Sequence, residues 1–360
     1  MNFPITSLFI ILLTVPLVSA SAQSPPFRQV AFYEAPFVED QSDNSGRLPE
    51  EVWKNIPPAK DFYLYWKSDP PPGEVPTEMQ MAYDKEGIYL RVTNHEDHPG
   101  QLRTKITKRG NPHLWQDDCI QAYFDPEAAG IGYVAFTMNS LGVQDDRKQL
   151  DGAVSLEEWR GDNWRVWTRK EARAWIVEAF FPFADFGKEA REGDLWMFNL
   201  VRFAYTSGKF QGVTWSPGGN YASPGNFGYL CFRGKEPASP KTIATTLQKK
   251  ITPPWIAVIG DKILLNESAG SLKILTPAKV KTRLVNEAED IFSRLQPMFK
   301  NDPNKTESPQ KLINRTKQLD LQTANDAQQA ILQMTKSSRA VWDIYWNESL
   351  RALIENPENP

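Results

Sequence analysis

Hydrophobic and polar positions alternate with a period of two through most of the middle of the chain, the signature of half-buried strands. Residues 62–66, Phe-Tyr-Leu-Tyr-Trp, open the series. The loop after them, residues 68–76, is irregular because Pro70-Pro71-Pro72-Gly73 lies inside it. Met79, Met81 and Tyr83 then share one face of a segment that ends at Asp84-Lys85-Glu86-Gly87, and Ile88, Leu90 and Val92 resume the pattern, so 79–93 predicts a hairpin. Further strands are expected over 119–125, 132–139, 164–170, 174–183, 195–204, 212–216 and 229–233, with Gly, Pro, Asn or Asp between them. Short strands at that spacing predict an antiparallel β-sandwich rather than βαβ units.

The pattern changes after Gly234. Residues 235–240 have the composition of a linker, and 255–266 predicts one more hairpin around Gly260-Asp261. From Thr276 the period becomes helical: Thr276-Pro277 supplies a cap and a first-turn proline, and Val280, Leu284, Ala288, Ile291 and Leu295 form a stripe. Ser308-Pro309 predicts a second helix through Leu321, and a third runs over about 324–355, roughly 45 Å at the helical rise. A helix of that length pairs in a hairpin, folds back on the sandwich or meets a protein partner. The expected division is thus a signal peptide at 1–22, a lead-in at 23–45, the sandwich at 46–234, a linker with a hairpin at 235–275 and a helical region at 276–356.

Composition narrows the functions. Charged residues are 24% and the net charge is −3, which provides no general attraction to nucleic acid or to an anionic membrane. The 12 Trp exceed what the length leads one to expect, and exposed Trp or Tyr presents a flat apolar face to a ligand. An uncharged apolar run at 8–18 followed by Ala20-Ser21-Ala22 reads as a signal peptide cut after Ala22, with no membrane insertion after cleavage. The protein is therefore expected to be secreted or periplasmic, where a disulfide persists. Only Cys119 and Cys231 are available, as one bridge between an early and the last sandwich strand or as two buried thiols.

Several segments, taken in order, resemble carbohydrate-binding module family 9. Asn44-Ser45-Gly46-Arg47-Leu48-Pro49-Glu50-Glu51-Val52-Trp53 is an altered form of the family's opening, followed by Met81-Ala82-Tyr83-Asp84 and Gly87-Ile88-Tyr89-Leu90-Arg91-Val92. Leu114-Trp115-Gln116-Asp117-Asp118-Cys119-Ile120-Gln121-Ala122-Tyr123-Phe124-Asp125-Pro126 resembles its most diagnostic stretch, and 133–142 the strand and turn after it. Trp175-Ile176-Val177-Glu178 leading to Pro182, then Trp196-Met197-Phe198-Asn199-Leu200-Val201-Arg202, and finally Thr214-Trp215-Ser216 with Pro224-Gly225-Asn226-Phe227-Gly228, are similar to the closing segments. The helical C-terminal third lies outside the resemblance.

The resemblance implies a sugar slot with Trp115 as one wall and an aromatic shortly before Pro224 as the other, here Tyr221 in Gly218-Gly219-Asn220-Tyr221. A Glu of the family is replaced by Gln121, and its following arginine has no counterpart among Tyr133, Val134 and Ala135. Asn220, Asn199 and Arg202 complete the candidate carbohydrate contacts, with buried sheet hydrogen bonding the other reading of the last two. Glu178, on an apolar strand, reads as the partner of an arginine. Asp117 and Asp118 read as turn or cap residues or as ligands of a structural calcium, the one cofactor considered. His95, His98 and His113 invite a metal reading, but His-x-x-His in a loop reads better as a solvated turn.

The function expected is non-catalytic binding of an oligosaccharide or polysaccharide, linked to extracellular polysaccharide catabolism. A glycoside hydrolase is the enzymatic alternative and needs two carboxylates at a set separation. A haem-binding sandwich of the DOMON type needs a placed Met and His pair, which is not evident. A sandwich that has lost its sugar and serves as a scaffold for a protein partner is the remaining alternative.

Overall fold

A computed structural model describes residues 26–39, 42–43, 46–67, 70–151, 154–156, 159–206, 208–296 and 303–355. The expected signal peptide, like Asn44 and Ser45, lies outside the described residues. The chain forms two compact units, Arg28–Ile274 and a helical unit from Leu275 onward.

Strands of the first unit are β1 (Arg28–Val30), β2 (Phe32–Pro36), β3 (Tyr63–Leu64), β4 (Thr77–Tyr83), β5 (Gly87–His95) and β6 (Cys119–Asp125). They continue as β7 (Tyr133–Asn139), β8 (Gln144–Asp151), β9 (Val154–Leu156), β10 (Arg165–Lys170), β11 (Ala174–Pro182) and β12 (Leu195–Ala204). The last are β13 (Gln211–Thr214), β14 (Gly228–Arg233), β15 (Trp255–Ile259), β16 (Lys262–Asn266) and β17 (Lys273–Leu275). The smaller sheet of the sandwich has the order β10-β11-β5-β4, and the larger runs β2-β14-β12-β6-β7-β8-β9 with β13 and β3 extending from β12. All but one of these pairings are antiparallel; the exception is β2 on β14, a parallel pair such as Tyr33 opposite Leu230.

The period-two pattern explains the packing. Met79 and Met81 of β4, Ile88, Leu90 and Val92 of β5, and Trp175, Val177, Ala179 and Phe181 of β11 face the even positions of the large sheet: Ile120, Ala122, Phe124, Phe136, Trp196, Phe198 and Leu200. The interior is an aromatic lattice in which Phe124 meets Phe181 at 5.3 Å and Phe198 at 4.9 Å. Edge-to-face rings at such spacing add to the area they bury. Helix α1 (Glu50–Lys54) covers the outer face of the small sheet, with Trp53, Leu48 and Ile56 against Tyr89 and Phe180.

The stretch expected as a linker is instead part of this unit. Helix α3 (Pro240–Lys250), which follows the short α2 (Phe183–Phe186), places Ile243, Ala244 and Leu247 with Trp255, Ala257 and Leu264 against Met197, Tyr123, Phe227 and Tyr229 on the outer face of the large sheet. The hairpin around Gly260 is present as β15 and β16, and the lead-in supplies the parallel partner β1, so the module reaches to Ile274. The second apolar layer buries Cys119 and Tyr123 of β6 and Met197, Val201 and Phe203 of β12, odd positions that face away from the sandwich core.

In the helical unit α4 (Pro277–Leu295) starts where expected, the Thr276 hydroxyl accepting from the Lys279 amide at 3.4 Å, and its whole predicted stripe is buried. Helix α5 spans Pro303–Lys317, starting earlier and ending sooner than Ser308-Pro309 suggested, because Pro303 supplies the first-turn proline. Helix α6 spans Ala324–Glu355 and packs on α4 and α5, with Ala327, Ile331 and Met334 buried.

Candidate functional site

The disulfide expectation is corrected first, because the same register defines the site. Cys119 lies opposite Phe203 and Cys231 opposite Leu195, eight positions apart along β12. At about 3.3 Å per residue that separates them by roughly 26 Å, far beyond bridging distance. Both are buried free thiols, and burial pushes the Cys231 thiol up to about 12. Alkylation after denaturation without reductant is expected to label two thiols per chain, and reductant to leave the thermal midpoint unchanged.

Beyond the part covered by α3, the outer face of the large sheet carries a cluster of aromatic rings. Gly212 of β13 lies under Tyr65, whose ring occupies the space a β-carbon would need, the two being 1.8 Å apart had one been there. That close approach lets Tyr65 reach Phe203 of β12 at 6.0 Å, Phe210 at 5.8 Å and Tyr221 at 5.2 Å. Trp66 stands edge-on to Tyr221 at 5.4 Å, Phe210 stacks on Phe203 at 5.7 Å, and Trp115 approaches Phe203 at 6.5 Å. Three of these rings are open to solvent: Trp66 at 57%, Phe210 at 42% and Trp115 at 41%. The three arise on separate loops.

Trp66 has left-handed backbone geometry, φ 64°, which a bulky residue adopts only when its surroundings enforce it. Here its amide donates to the Gly219 carbonyl at 3.0 Å and the Gly219 amide to the Lys67 carbonyl at 2.7 Å, clasping the Trp66 loop to the loop of Asn220 and Tyr221. Asn220 is exposed and its side-chain oxygen accepts from the Ala222 amide at 2.9 Å, fixing the turn beside Tyr221.

The turn bearing Trp115, residues 114–116, is held by the two carboxylates that follow it. Asp117 accepts from the amides of Lys105 and Ile106, both at 2.9 Å, and from the Asn139 side chain at 3.1 Å. Asp118 accepts from the amides of Arg103 at 2.7 Å and Tyr205 at 2.8 Å and from the Thr206 hydroxyl at 3.3 Å. Burial raises the Asp118 carboxyl and those hydrogen bonds oppose the rise. The oxygens of both residues accept from N–H and O–H donors, and among the described residues no three His, Cys, Asp or Glu converge on a metal position. The pair acts as the turn reading proposed, lacing loops 103–106 and 205–206 around Trp115. His95 pairs with Glu78 at 3.0 Å, while His98 and His113 are exposed.

Three candidate contacts belong elsewhere. Gln121 is buried; its oxygen accepts from the Tyr123 hydroxyl at 2.6 Å and its nitrogen donates to the Thr137 hydroxyl at 3.2 Å, so it fixes Tyr123 under the site and does not face a ligand. Asn199 is buried and used up by the Tyr221 carbonyl, the Thr214 hydroxyl and the Ser216 amide. It supports the Tyr221 loop from below. Arg202 lies on the core face and joins the two sheets through Pro76, Thr77 and His95.

Sequence reasoning missed Trp66, Tyr65, Phe210 and Arg147. Arg147 of β8 stands on the same outer face, opposite Ala135, and reaches the Tyr123 hydroxyl at 3.2 Å and the Tyr133 hydroxyl. Its guanidinium also lies over the Tyr123 ring at 5.9 Å. The resemblance sought an arginine on the strand after β6; the chain places one two strands away, where no local signal marks it.

In fold, the chain is similar to family 9 carbohydrate-binding modules. A protein from Bacteroides uniformis, provisionally described as carbohydrate-binding, superimposes with a TM-score of 0.46 at 16% identity, covering 57% of this chain and 100% of that one. A family 9 module from Caldicellulosiruptor kristjanssonii in complex with cellotriose gives 0.41 at 12% identity, covering 58% of this chain and 100% of the module. The same kind of module with glucose gives 0.40 at 12%, covering 58% and 99%. No protein-family model and no curated protein matches the chain.

Proposed function

We propose that the chain binds carbohydrate without catalysis, holding a sugar against Trp115, Phe210, Trp66 and Tyr221, as part of an exported protein that serves polysaccharide breakdown. The observation that carries this reading is the rim itself: three solvent-open aromatic rings from separate loops, fixed around one patch by backbone clasps, hydroxyls and the Asp117 and Asp118 hydrogen bonds. A soluble domain gains nothing in stability from exposing such rings, whereas sugar faces carry apolar C–H patches that stack on them. Asn220 supplies a fixed polar partner that orients a bound ring. Export rests on the apolar run 8–18 and Ala20-Ser21-Ala22. Among the described residues no helix is long and apolar enough to cross a membrane.

The hydrolase alternative is less well supported, because Asp117 and Asp118, the carboxylates next to Trp115, are buried and spent on N–H and O–H donors. A titration of the whole chain against cello-, xylo- and uronic-acid oligosaccharides, followed by tryptophan fluorescence, tests the proposal. Trp66→Ala and Trp115→Ala are each expected to weaken binding by about tenfold or more, the loss of one stacked ring, with the thermal midpoint little changed since both side chains are exposed. If no glycan binds and Trp115→Ala alters only stability, the sandwich is a scaffold instead.

A further inference from the structure

Arg147, half-buried, departs from the buried arginines of the sandwich. Arg91 is neutralised by Glu178 and Glu50, and Arg202 has Glu96 at 3.4 Å. Arg147 makes no ion pair among the described residues: it meets two phenol hydroxyls, of Tyr123 and Tyr133, and the face of the Tyr123 ring. Its Nε–H is buried with no acceptor. A guanidinium has five N–H donors in a planar fork that fits a carboxylate or sulfate with two parallel bonds. With its hydrogen-bond partners neutral and Asp145 acting on it only through charge, this half-buried guanidinium keeps donors that an added anion would engage.

The surroundings point the same way. Lys67 directly follows Trp66 and Lys209 directly precedes Phe210, so two of the three rim rings have a cation next to them in the sequence, and the Arg103 guanidinium lies over Tyr205 at 4.7 Å. Gln121, under the site, is neutral and tied to Tyr123 and Thr137. Two acids lie nearby. Glu74 accepts from Gln211 at 3.2 Å, and Asp145, two positions before Arg147 on the same face of β8, feels its charge while burial raises its carboxyl. Neither closes on the guanidinium.

Resting on the carbohydrate reading above, we infer that the glycan is acidic: its carboxylate or sulfate ester seats on the Arg147 fork while an adjacent sugar face stacks on the aromatic rim. The shared chemistry is a planar or tetrahedral oxyanion borne on a sugar ring.

Isothermal titration of the full chain against a trigalacturonate, a sulfated galactose trisaccharide and neutral cellotriose tests this. At least one acidic ligand is expected to bind about tenfold or more tightly than cellotriose, with affinity falling as salt rises, and comparison of the two acidic ligands identifies the group. Arg147→Gln is expected to erase that preference while changing cellotriose binding less than about threefold, and Arg147→Lys to keep part of it, a point charge replacing the fork. Should Arg147→Gln fail to fold by circular dichroism, the wild-type preference and Arg147→Lys decide. Equal affinity for neutral and acidic ligands overturns the inference and leaves the carbohydrate reading standing. Binding of none of them, with Trp66→Ala indistinguishable from wild type, overturns both.

Discussion

Arg202→Ala is expected to destabilise the sandwich by about 3–5 kcal/mol, the usual cost of breaking a buried charged network from one side. Arg202 has no exposed side-chain surface and burial draws its guanidinium down to about 10, opposed by the charges of Glu96 and Asp118, so it is still a cation at neutral pH. One nitrogen donates to the Pro76 carbonyl at 3.0 Å and the Thr77 hydroxyl at 3.3 Å, the other to the His95 carbonyl at 3.1 Å and to Glu96 at 3.4 Å. These acceptors sit at the start of β4 and the end of β5, whereas Arg202 belongs to β12, so a single side chain pins the two sheets together at the end nearest the aromatic rim. Truncation takes the Arg202 donor from the His95 carbonyl and from one Glu96 oxygen, and leaves the Pro76 carbonyl with the His95 amide alone, in a place that water enters poorly. Arg202→Lys is expected to recover only part of the loss, because an ammonium does not span two separated acceptor pairs as the fork does. Urea denaturation provides the measure: the midpoint should fall with the slope unchanged. A loss below about 1 kcal/mol would show that water satisfies those acceptors and that the sheets are held by the aromatic core alone.

Arg202 also shows where sequence reading succeeds and stops. The strands were legible because alternation is local, and 119–125, 174–183 and 195–204 were placed within a residue or so of β6, β11 and β12. Parity was legible too, since Trp196, Phe198 and Leu200 lead on to Arg202 on one face, and that stripe is the core. The family pattern drew Arg202 toward the ligand, but its parity placed it inside. Gln121 and Asn199 have outward parity, yet both lie beneath Tyr123 and Tyr221. Whether a second layer covers a sheet depends on segments far away in sequence: here α3, which offers only Ile243, Ala244 and Leu247 to mark it, and the β15–β16 hairpin, whose strands are legible but not the sheet they cover. Trp66 was taken as the end of a strand, since nothing in Phe62-Tyr63-Leu64-Tyr65-Trp66 reveals that β3 stops at Leu64 and that Gly218-Gly219 turns the next loop back to hold the ring. Trp115 entered through the family resemblance, and its exposed turn is held by its own neighbours, Asp117 and Asp118.

Removing one carboxylate, Glu178→Ala, is expected to cost a comparable 3–5 kcal/mol or so and to change how the fold responds to acid. Glu178 of β11 lies buried on the outer face of the small sheet, where Arg47 reaches it at 2.8 Å, Arg91 at 2.9 Å and Arg169 at 2.7 Å. Glu50 of α1 joins through Arg91, and the Arg91 guanidinium lies over Trp53 at 5.4 Å, so the cluster fastens α1 and residue 47 to the sheet. Without Glu178 three cations face each other with Glu50 and Glu171 as their remaining carboxylates. Burial by itself would raise the Glu178 carboxyl, but the hydrogen bonds from Arg47 and Arg169 and the nearby charge of Arg91 outweigh it and hold the group below its ordinary value of 4.5. A carboxyl depressed in the folded state stabilises the fold fully above its unfolded value, and that contribution disappears as pH falls through the folded one. The wild-type protein is therefore expected to lose stability as pH falls below about 4.5, with Glu178 among the groups responsible. Glu178→Gln keeps the size and an acceptor but not the charge, so it should be less stable at neutral pH and less sensitive to acid over the same range. Urea midpoints of both proteins between pH 3 and pH 7 would reveal it: the curves should converge toward the acid end, and parallel curves would mean that Glu178 serves only as a hydrogen-bond acceptor.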